Sequence, residues 1–305
     1  MNDVAVEVKD LLKTYDGMTA VDRVSFQVRR GAIFGLLGPN GAGKTSTLEC
    51  LEGLRAPDGG SLRIEGVDPA RQRRQLRDVI GVQLQSSGLP PNIRVDEAMK
   101  IFCAYHRTAP RDDLLERLDL AGKRSAQYQE LSAGLQRRLA LALAVAHNPR
   151  VLFLDEPTAG LDVASRAALH DLMRQLKAEG ATILLATHDM AEAEEMSDDI
   201  AILLGGRIAA TGSPLEITAS GAGLTKVTVR TEGACLAQPD AVFPAVDQRV
   251  DKGDYLVYYS ADIGPTVSAI IAFIQDRGDK LIDLRIERPS LEDRFLEITH
   301  TGGSR

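Results

Sequence analysis

The chain of 305 residues has little cysteine, no surplus of basic charge and no long apolar run, and each shortage removes a class of protein. Its three cysteines, Cys50, Cys103 and Cys235, are odd in number, far apart and without a metal-ligand spacing. That usage excludes a disulfide scaffold and fits reduced thiols in the cytosol. A formal net charge of −7 argues against a nucleic-acid-binding surface as the main business of the protein, while leaving room for a local basic groove. Charges interrupt every apolar stretch well short of the roughly 18 residues that a membrane-spanning helix needs. The opening MNDVAVEVKD lacks the basic and apolar regions of a signal peptide. No internal repeat or low-complexity segment stands out, and the basic run RQRRQLRD (71–78) reads as a solvated helix face. Any service to a membrane is therefore expected from the cytosolic side, through a partner.

What is present is globular: 44% hydrophobic and 26% charged residues, enough for one large core and a smaller domain. Val4, Val6 and Val8 alternate with polar neighbours, as do Val24, Phe26 and Val28, which predicts strands. AIFGLL (32–37), VLFLD (151–155) and ATILLAT (181–187) are uninterrupted apolar runs, the mark of strands buried on both faces. An amphipathic helix, ASRAALHDLMRQLKAEG, lies between the last two, and residues 92–147 look mostly helical. Strand–helix–strand order of this kind predicts a parallel sheet covered on both sides. The segment ITASGAG (217–223) reads as a loose joint to a second unit with strands TKVTVR, YLVYYS and LIDLRI and two helices. Ser290 followed by Asp293 is a helix-capping pattern at the start of the last helix.

The first chemical motif is GPNGAGKT (38–45), a G-x-x-x-x-G-K-[ST] sequence with an apolar strand before it and a helix after it. Glycines let backbone N–H groups turn inward around a β-phosphate where side chains would obstruct. Lys44 suits the β- and γ-phosphates, Thr45 a Mg²⁺ ion, and the helix N-terminus favours an anion. Gly38, Pro39, Asn40, Gly41, Ala42, Gly43, Lys44, Thr45 and Ser46 are thus the expected nucleotide cradle. VLFLDEP then delivers Asp155 and Glu156 to the carboxyl end of a buried strand, where ligands sit in open α/β sheets. Asp155 suits the Mg²⁺ shell and Glu156 the attacking water of phosphoryl transfer.

Three further stretches resemble the ATP-binding proteins of ABC transporters. LSAGLQ (131–136) sits where that family carries its signature, AGLD (159–162) is similar to its D-loop, and ATHDM (186–190) offers His188 as its switch histidine. The resemblance covers 1 to about 215 and implies an α/β fold of the P-loop NTPase ABC type. Such a fold has a RecA-like parallel-sheet core, an antiparallel β subdomain and a helical subdomain, here about 86–147. The expected domains are 1–216 for ATP binding and 222–305 for a small α/β accessory domain. The resemblance further implies that Tyr15 stacks on adenine, although a tyrosine filling the strand edge is the alternative. It matches Gln85 to the glutamine that touches Mg²⁺ and the attacking water, with Gln83 as the competing residue two positions away. His188 would contact the γ-phosphate and hold the water with Glu156; His106, His147, His170 and His300 have no such setting and are expected to be structural or exposed. Ser132 and Gly134 would complete the ATP site of a second subunit, so that a dimer closes on two ATP molecules. The motif departs from the family's LSGGQ at Ala133 and Leu135. The extra methyl matters only where φ must be positive or the phosphate lies against Cβ; a degenerate, slow site is the other reading.

The tail RPSLEDRFLEIT (288–299) resembles the ending of ATPases paired with bacterial ABC-2-type exporters, the group that includes drug-resistance pumps. The expectation is an ATP- and Mg²⁺-dependent exporter ATPase, peripheral on the cytoplasmic face of the bacterial membrane. It would work as a homodimer or with a sister ATPase beneath a separate ABC-2-type permease. The alternatives are a soluble ABC ATPase acting on nucleic acid or ribosomes, and an importer ATPase. Against the first, residues 222–305 hold ten Lys and Arg against thirteen Asp and Glu, a poor surface for phosphate backbones.

Overall fold

Two long strands, β1 (Val4–Tyr15) and β2 (Met18–Arg29), begin the chain as a hairpin. Asp16 and Gly17 form its turn, both at positive φ (47° and 83°), which is the backbone that matches the right-handed twist of a strand pair. The computed structural model describes residues 3–85, 88–220, 224–243, 245–287 and 290–302, and the chain divides into units Met1–Ser213 and Pro214–Arg305. After the hairpin, the first unit continues with β3 (Ile33–Leu37), α1 (Lys44–Leu51), β4 (Gly59–Ile64), α2 (Arg73–Val79) and β5 (Ile80–Gln83). Then come α3 (Val95–Tyr105), α4 (Asp112–Arg117), α5 (Ala133–Val145), β6 (Val151–Asp155) and α6 (Val163–Ala178). The unit ends with β7 (Thr182–Thr187), α7 (Met190–Met196), β8 (Asp199–Leu204) and β9 (Arg207–Gly212).

These strands make two sheets. One is antiparallel, in the order β2-β1-β4; the other is six-stranded, β5-β6-β7-β3-β8-β9, parallel except for β9 at its edge. The apolar runs are explained by where successive side chains go. Ile33, Leu152, Leu154, Ile183 and Leu185 face a core shared with α3 to α6, while Phe34, Leu36, Val151, Phe153 and Leu184 face a second core shared with α1 and the antiparallel sheet. A strand covered on both faces cannot alternate apolar with polar residues. Each such side chain contributes roughly 1.5–3 kcal/mol when withdrawn from water.

The second unit consists of α8 (Pro214–Ala219), β10 (Thr225–Thr231), β11 (Gln248–Lys252), β12 (Tyr255–Ser260), α9 (Ile263–Asp276), β13 (Leu281–Glu287) and α10 (Leu291–Gly302). Its sheet is wholly antiparallel, in the order β11-β12-β10-β13. Val227, Val229, Phe243, Tyr258, Ile270 and Ile274 form its own core. The capping expected at Ser290 is present: its Oγ accepts from the Asp293 N–H (3.1 Å), and the Asp293 carboxylate accepts from the Ser290 N–H (2.9 Å). The joint expected over 217–223 differs from the reading of it as loose, because residues 217–219 finish α8; 221–223, like Arg288 and Pro289 of the tail, lie outside the described residues.

Gly81 shows how tightly β5 is held against α5. A Cβ there would come within 2.1 Å of the Ala144 carbonyl oxygen and 2.9 Å of the Pro149 ring. Gly81→Ala is expected to cost about 1–3 kcal/mol by overpacking, measured by urea unfolding of the full chain; an unchanged midpoint contradicts that packing.

Candidate active site

Three neighbouring strands, β6, β7 and β3, end at one edge of the parallel sheet, and each releases a chemically active residue. Lys44 follows β3, Asp155 ends β6 with Glu156 directly after it, and His188 follows β7. Gly43 makes the turn into α1 at φ 102°, and a Cβ on it would lie 2.4 Å from the Ala20 carbonyl oxygen. Gly41, at φ 81°, has open space around it, so the loop is free on that side for a ligand's approach.

Lys44 is buried, and its ammonium donates to the carbonyl oxygens of Gly38 (2.6 Å) and Pro39 (3.2 Å) while lying 3.7 Å from Glu156 Oε1. Burial pulls its pKa down, and Glu156 and Asp155 oppose that shift. Glu156 adopts φ 49°, a left-handed backbone that non-glycine residues rarely accept. Its N–H is held by the Ala186 carbonyl (2.9 Å), and its Oε2 lies 2.7 Å from His188 Nδ1. Since a carboxylate accepts, Nδ1 carries the proton in that bond. The His188 side chain is 55% exposed, whereas the carboxylate it touches is buried.

Asp155 is buried beside them, and its pKa is raised first by burial and then by Glu156. Oδ2 accepts a long bond from the Thr45 hydroxyl (3.4 Å), and Oδ1 has no partner among the described residues. A hydroxyl next to an orphaned carboxylate oxygen fits a hard divalent cation, which takes oxygen ligands. No three His, Cys, Asp or Glu side chains converge as a cage among the described residues. Thr45 and Asp155 do not complete a coordination shell, so an ion here would need further ligands such as phosphates, water or another side chain.

The remaining expected residues separate. Tyr15 ends β1 with its ring half-buried between Lys13 Nζ (5.3 Å) and the Arg55 guanidinium (5.8 Å). Gln85 is exposed just beyond β5, and its backbone carbonyl accepts from Arg137 of α5 (2.6 Å). Gln83 is the buried glutamine, 1% exposed, and neither amide atom has a hydrogen-bond partner among the described residues. Ser132 caps α5, its Oγ accepting from the Leu135 N–H (3.3 Å). Ala133 opens the helix in right-handed conformation, absent from the positive-φ residues, so its methyl meets no backbone strain. Among the described residues, no hydrogen bond or ion pair joins Ser132 or Gly134 to residues 38–46 of the same chain.

Gly134 has a reason for being glycine inside its own chain. A Cβ there would lie 2.7 Å from Ser165 Oγ, and that hydroxyl is fixed by Asp162, the cap of α6. Two arrangements were missed at sequence level. Arg137 ties the Gln85 segment to α5, and no motif announces it. Thr158 donates to Glu192 Oε1 (2.7 Å), which also lies 3.2 Å from His170 Nε2; this buried cluster joins the loop after Glu156 to α7 after His188. His170 is therefore structural. His106 and His147 stack on each other at 3.7 Å between centroids, and the His300 side chain lies outside the described residues.

Residues 21–159 match the family model described as ABC transporter. The chain is similar to the Nod factor export ATP-binding protein I of Paraburkholderia xenovorans (strain LB400), with 38% identity over 98% of both chains. It is 34% identical to the daunorubicin resistance ATP-binding protein DrrA3 of Streptomyces coeruleorubidus, over 98% of this chain and 97% of that one. Among solved structures, an ATP-binding subunit of an ABC transporter superposes with a TM-score of 0.65 and 30% identity, covering 70% of this chain and 91% of the other. The cassette MJ0796, a post-hydrolysis dimer bound to ADP and Pi, superposes with a TM-score of 0.64 and 25% identity, covering 68% and 98%.

The packing role of Gly134 can be separated from any role at a phosphate. Gly134→Ala is expected to destabilise the chain by about 1–3 kcal/mol, and adding Ser165→Ala should recover part of the loss. Thermal unfolding of the single and double variants measures the coupling; purely additive effects would mean that Ser165 is not the obstacle.

Proposed function

The chain belongs to the ABC transporter family of ATP-binding proteins, and from that premise we propose that it is the motor subunit of a bacterial exporter. It is an ATPase of the exporter type, similar over its whole length to export and drug-resistance ATP-binding proteins. In this proposal, closure of an ATP-bound dimer drives a separate permease of the ABC-2 type from the cytoplasmic face of the membrane. Among the described residues no helix is long and apolar enough to cross a membrane, which suits a peripheral subunit.

The observation that carries the reading is the Glu156 carboxylate between Lys44 and His188. ATP phosphates would be received by the backbone of residues 38–46 and the start of α1, with Lys44 turning from the Gly38 and Pro39 carbonyls to the β- and γ-phosphates. Mg²⁺, when bound, supplies positive charge at the phosphate oxygens; Thr45, Asp155 and Gln85 would hold it. Glu156 would polarise the attacking water, with the Nδ1–H of His188 fixing the carboxylate and the exposed part of the ring reaching the γ-phosphate side. Tyr15 would offer its ring to adenine. Ser132, Gly134 and the N-terminal end of α5 would serve the nucleotide of a second subunit, since among the described residues of one chain they make no bond to the phosphate loop. The separation of these two halves supports a machine whose site exists only when two cassettes meet, with opening after hydrolysis as its output.

Two variants test this. Glu156→Gln should retain ATP binding while steady-state turnover falls by about a hundredfold or more; undiminished turnover removes Glu156 from the chemistry. Ser132→Ala should lower turnover by the dimer and leave nucleotide affinity of the dilute monomer nearly unchanged. Loss of monomer binding instead would place Ser132 in the wrong half-site.

A further inference from the structure

The antiparallel sheet of the second unit has two edges, and they are built differently. β11 closes one side with QRVDK, five mostly polar residues ending in a lysine, a common way to keep an edge from pairing with another chain. β13 closes the other side with LIDLRIE, seven residues without glycine, proline or lysine. Among the described residues it pairs with β10 alone, regularly from Glu287 to Asp283 and with a register shift beyond. Leu281, Ile282 and Ile286 on it are 38%, 48% and 52% exposed. Leu284 packs against the core of the unit, and Ile282 and Ile286 continue that face of the strand. Asp283 and Arg285 stand on the opposite face, paired with each other at 2.8 Å, and Asp283 accepts from the Tyr255 hydroxyl (3.4 Å). An apolar edge of this length is a template for one more strand.

The order of residues on β13 identifies the strand that fits it. An antiparallel partner related by a two-fold axis at Leu284 sets position 283 against 285 and position 282 against 286. In a second copy of this chain those opposites are Asp283 against Arg285, Ile282 against Ile286, and Leu284 against itself. Opposite charges and branched apolar pairs directly across two strands both stabilise the pairing. The outer pair, Leu281 against Glu287, has no such complement, so the match rests on the five central residues. Neighbouring registers fail. An axis at Asp283 sets that carboxylate against itself, and an axis at Arg285 opposes two guanidinium groups and sets Asp283 against Glu287. An axis between residues turns the apolar face of one strand against the charged face of the other.

We propose that β13 pairs antiparallel with β13 of a second copy of this chain about Leu284, joining two four-stranded sheets into one of eight strands. Ile282, Leu284 and Ile286 of both copies then continue one apolar surface across the axis. On the other face, two Asp283–Arg285 pairs between the chains fix the register. The same charges select the occupant, because a chain with other residues at these positions leaves an aspartate and an arginine facing the wrong partner. A homodimer is thereby favoured over a pair with a sister ATPase. The contact uses none of residues 38–46, so it needs no nucleotide, and the inference does not rest on the motor reading. Where that reading holds, the pairing keeps two cassettes at high effective concentration while their nucleotide sites are open.

The test is sedimentation equilibrium of the full chain in EDTA without nucleotide, which removes any ATP-dependent closure. A seven-residue strand pair is a small interface, so the dissociation constant is expected on the order of 1–100 µM. Asp283→Arg and Arg285→Asp each oppose like charges twice and should weaken the dimer roughly ten- to a hundredfold. Mixed in equal amounts, the two variants should regain the native affinity as a heterodimer, because every charge again faces its opposite. Loss of the ion pair within one chain cannot produce that rescue, since both variants lack it. The double variant, Asp283→Arg with Arg285→Asp, should self-associate as the native chain does. Amide exchange along β13 of the native chain should also slow as concentration rises through the dissociation constant, a readout independent of how the variants fold. A chain still monomeric about tenfold above that range, a dimer untouched by either variant, a mixture no tighter than its components, or exchange indifferent to concentration would each overturn the proposal. Protection of β13 only when the permease is added would assign the edge to a foreign strand and overturn it too. ATP turnover of the native chain bears on the motor reading alone.

Discussion

A single buried carboxylate ties three strands together. Glu156 is anchored on β6, reaches His188 beyond β7 at 2.7 Å and faces Lys44 beyond β3 at 3.7 Å. The strand order makes this possible, because β6, β7 and β3 are adjacent in the sheet although far apart in sequence. The backbone at Glu156 is strained, at φ 49°. Strain of this kind persists only where its surroundings over-determine it, and the bond from its N–H to Ala186, with Lys44 and His188 against its carboxylate, does so. The two cores of the first unit pack against the faces of these strands.

Charge is balanced at that edge by arrangement rather than by exposure. Asp155 and Glu156 are neighbouring carboxylates in a buried place, which raises the pKa of Asp155. Lys44 offsets part of this and is itself pulled down by burial. A site with two carboxylates, one ammonium and an orphaned oxygen is suited to additional positive charge and to phosphate oxygens arriving together. Glu52 is likewise buried, and its Oε1 has no hydrogen-bond partner among the described residues. The eight-residue helix α1 thus has Lys44 at one end and Glu52 at the other.

Much of this was legible in the residues. GPNGAGKT and VLFLDEP are local, and their chemistry depends on contiguous atoms, so spacing alone identified the loop and the two carboxylates. The three apolar runs identified the buried strands for the same reason. The Asp16-Gly17 turn was not read, so β1 and β2 run longer than the alternation at Val4–Val8 and Val24–Val28 implied. The C-terminal strands at 225–230, 255–260 and 281–286 were read, but β11 was not, because QRVDK has no apolar face to announce it.

Other features depended on packing between distant segments. Gln83 and Gln85 stand two residues apart, and only the end of β5 decides that one is enclosed and the other exposed. Gly134 reads as room for a phosphate, yet Ser165 on α6 also requires it, a contact across more than one element of the fold. Ala133 could be judged only once its backbone was seen to be right-handed. The sequence by itself determined which groups the protein possesses and the local frames that carry them, because loops, caps and buried strands are written in neighbouring residues. Only the tertiary structure decided which groups meet and which stay unpaired, because burial and charge balance are sums over residues that the chain brings together from far apart.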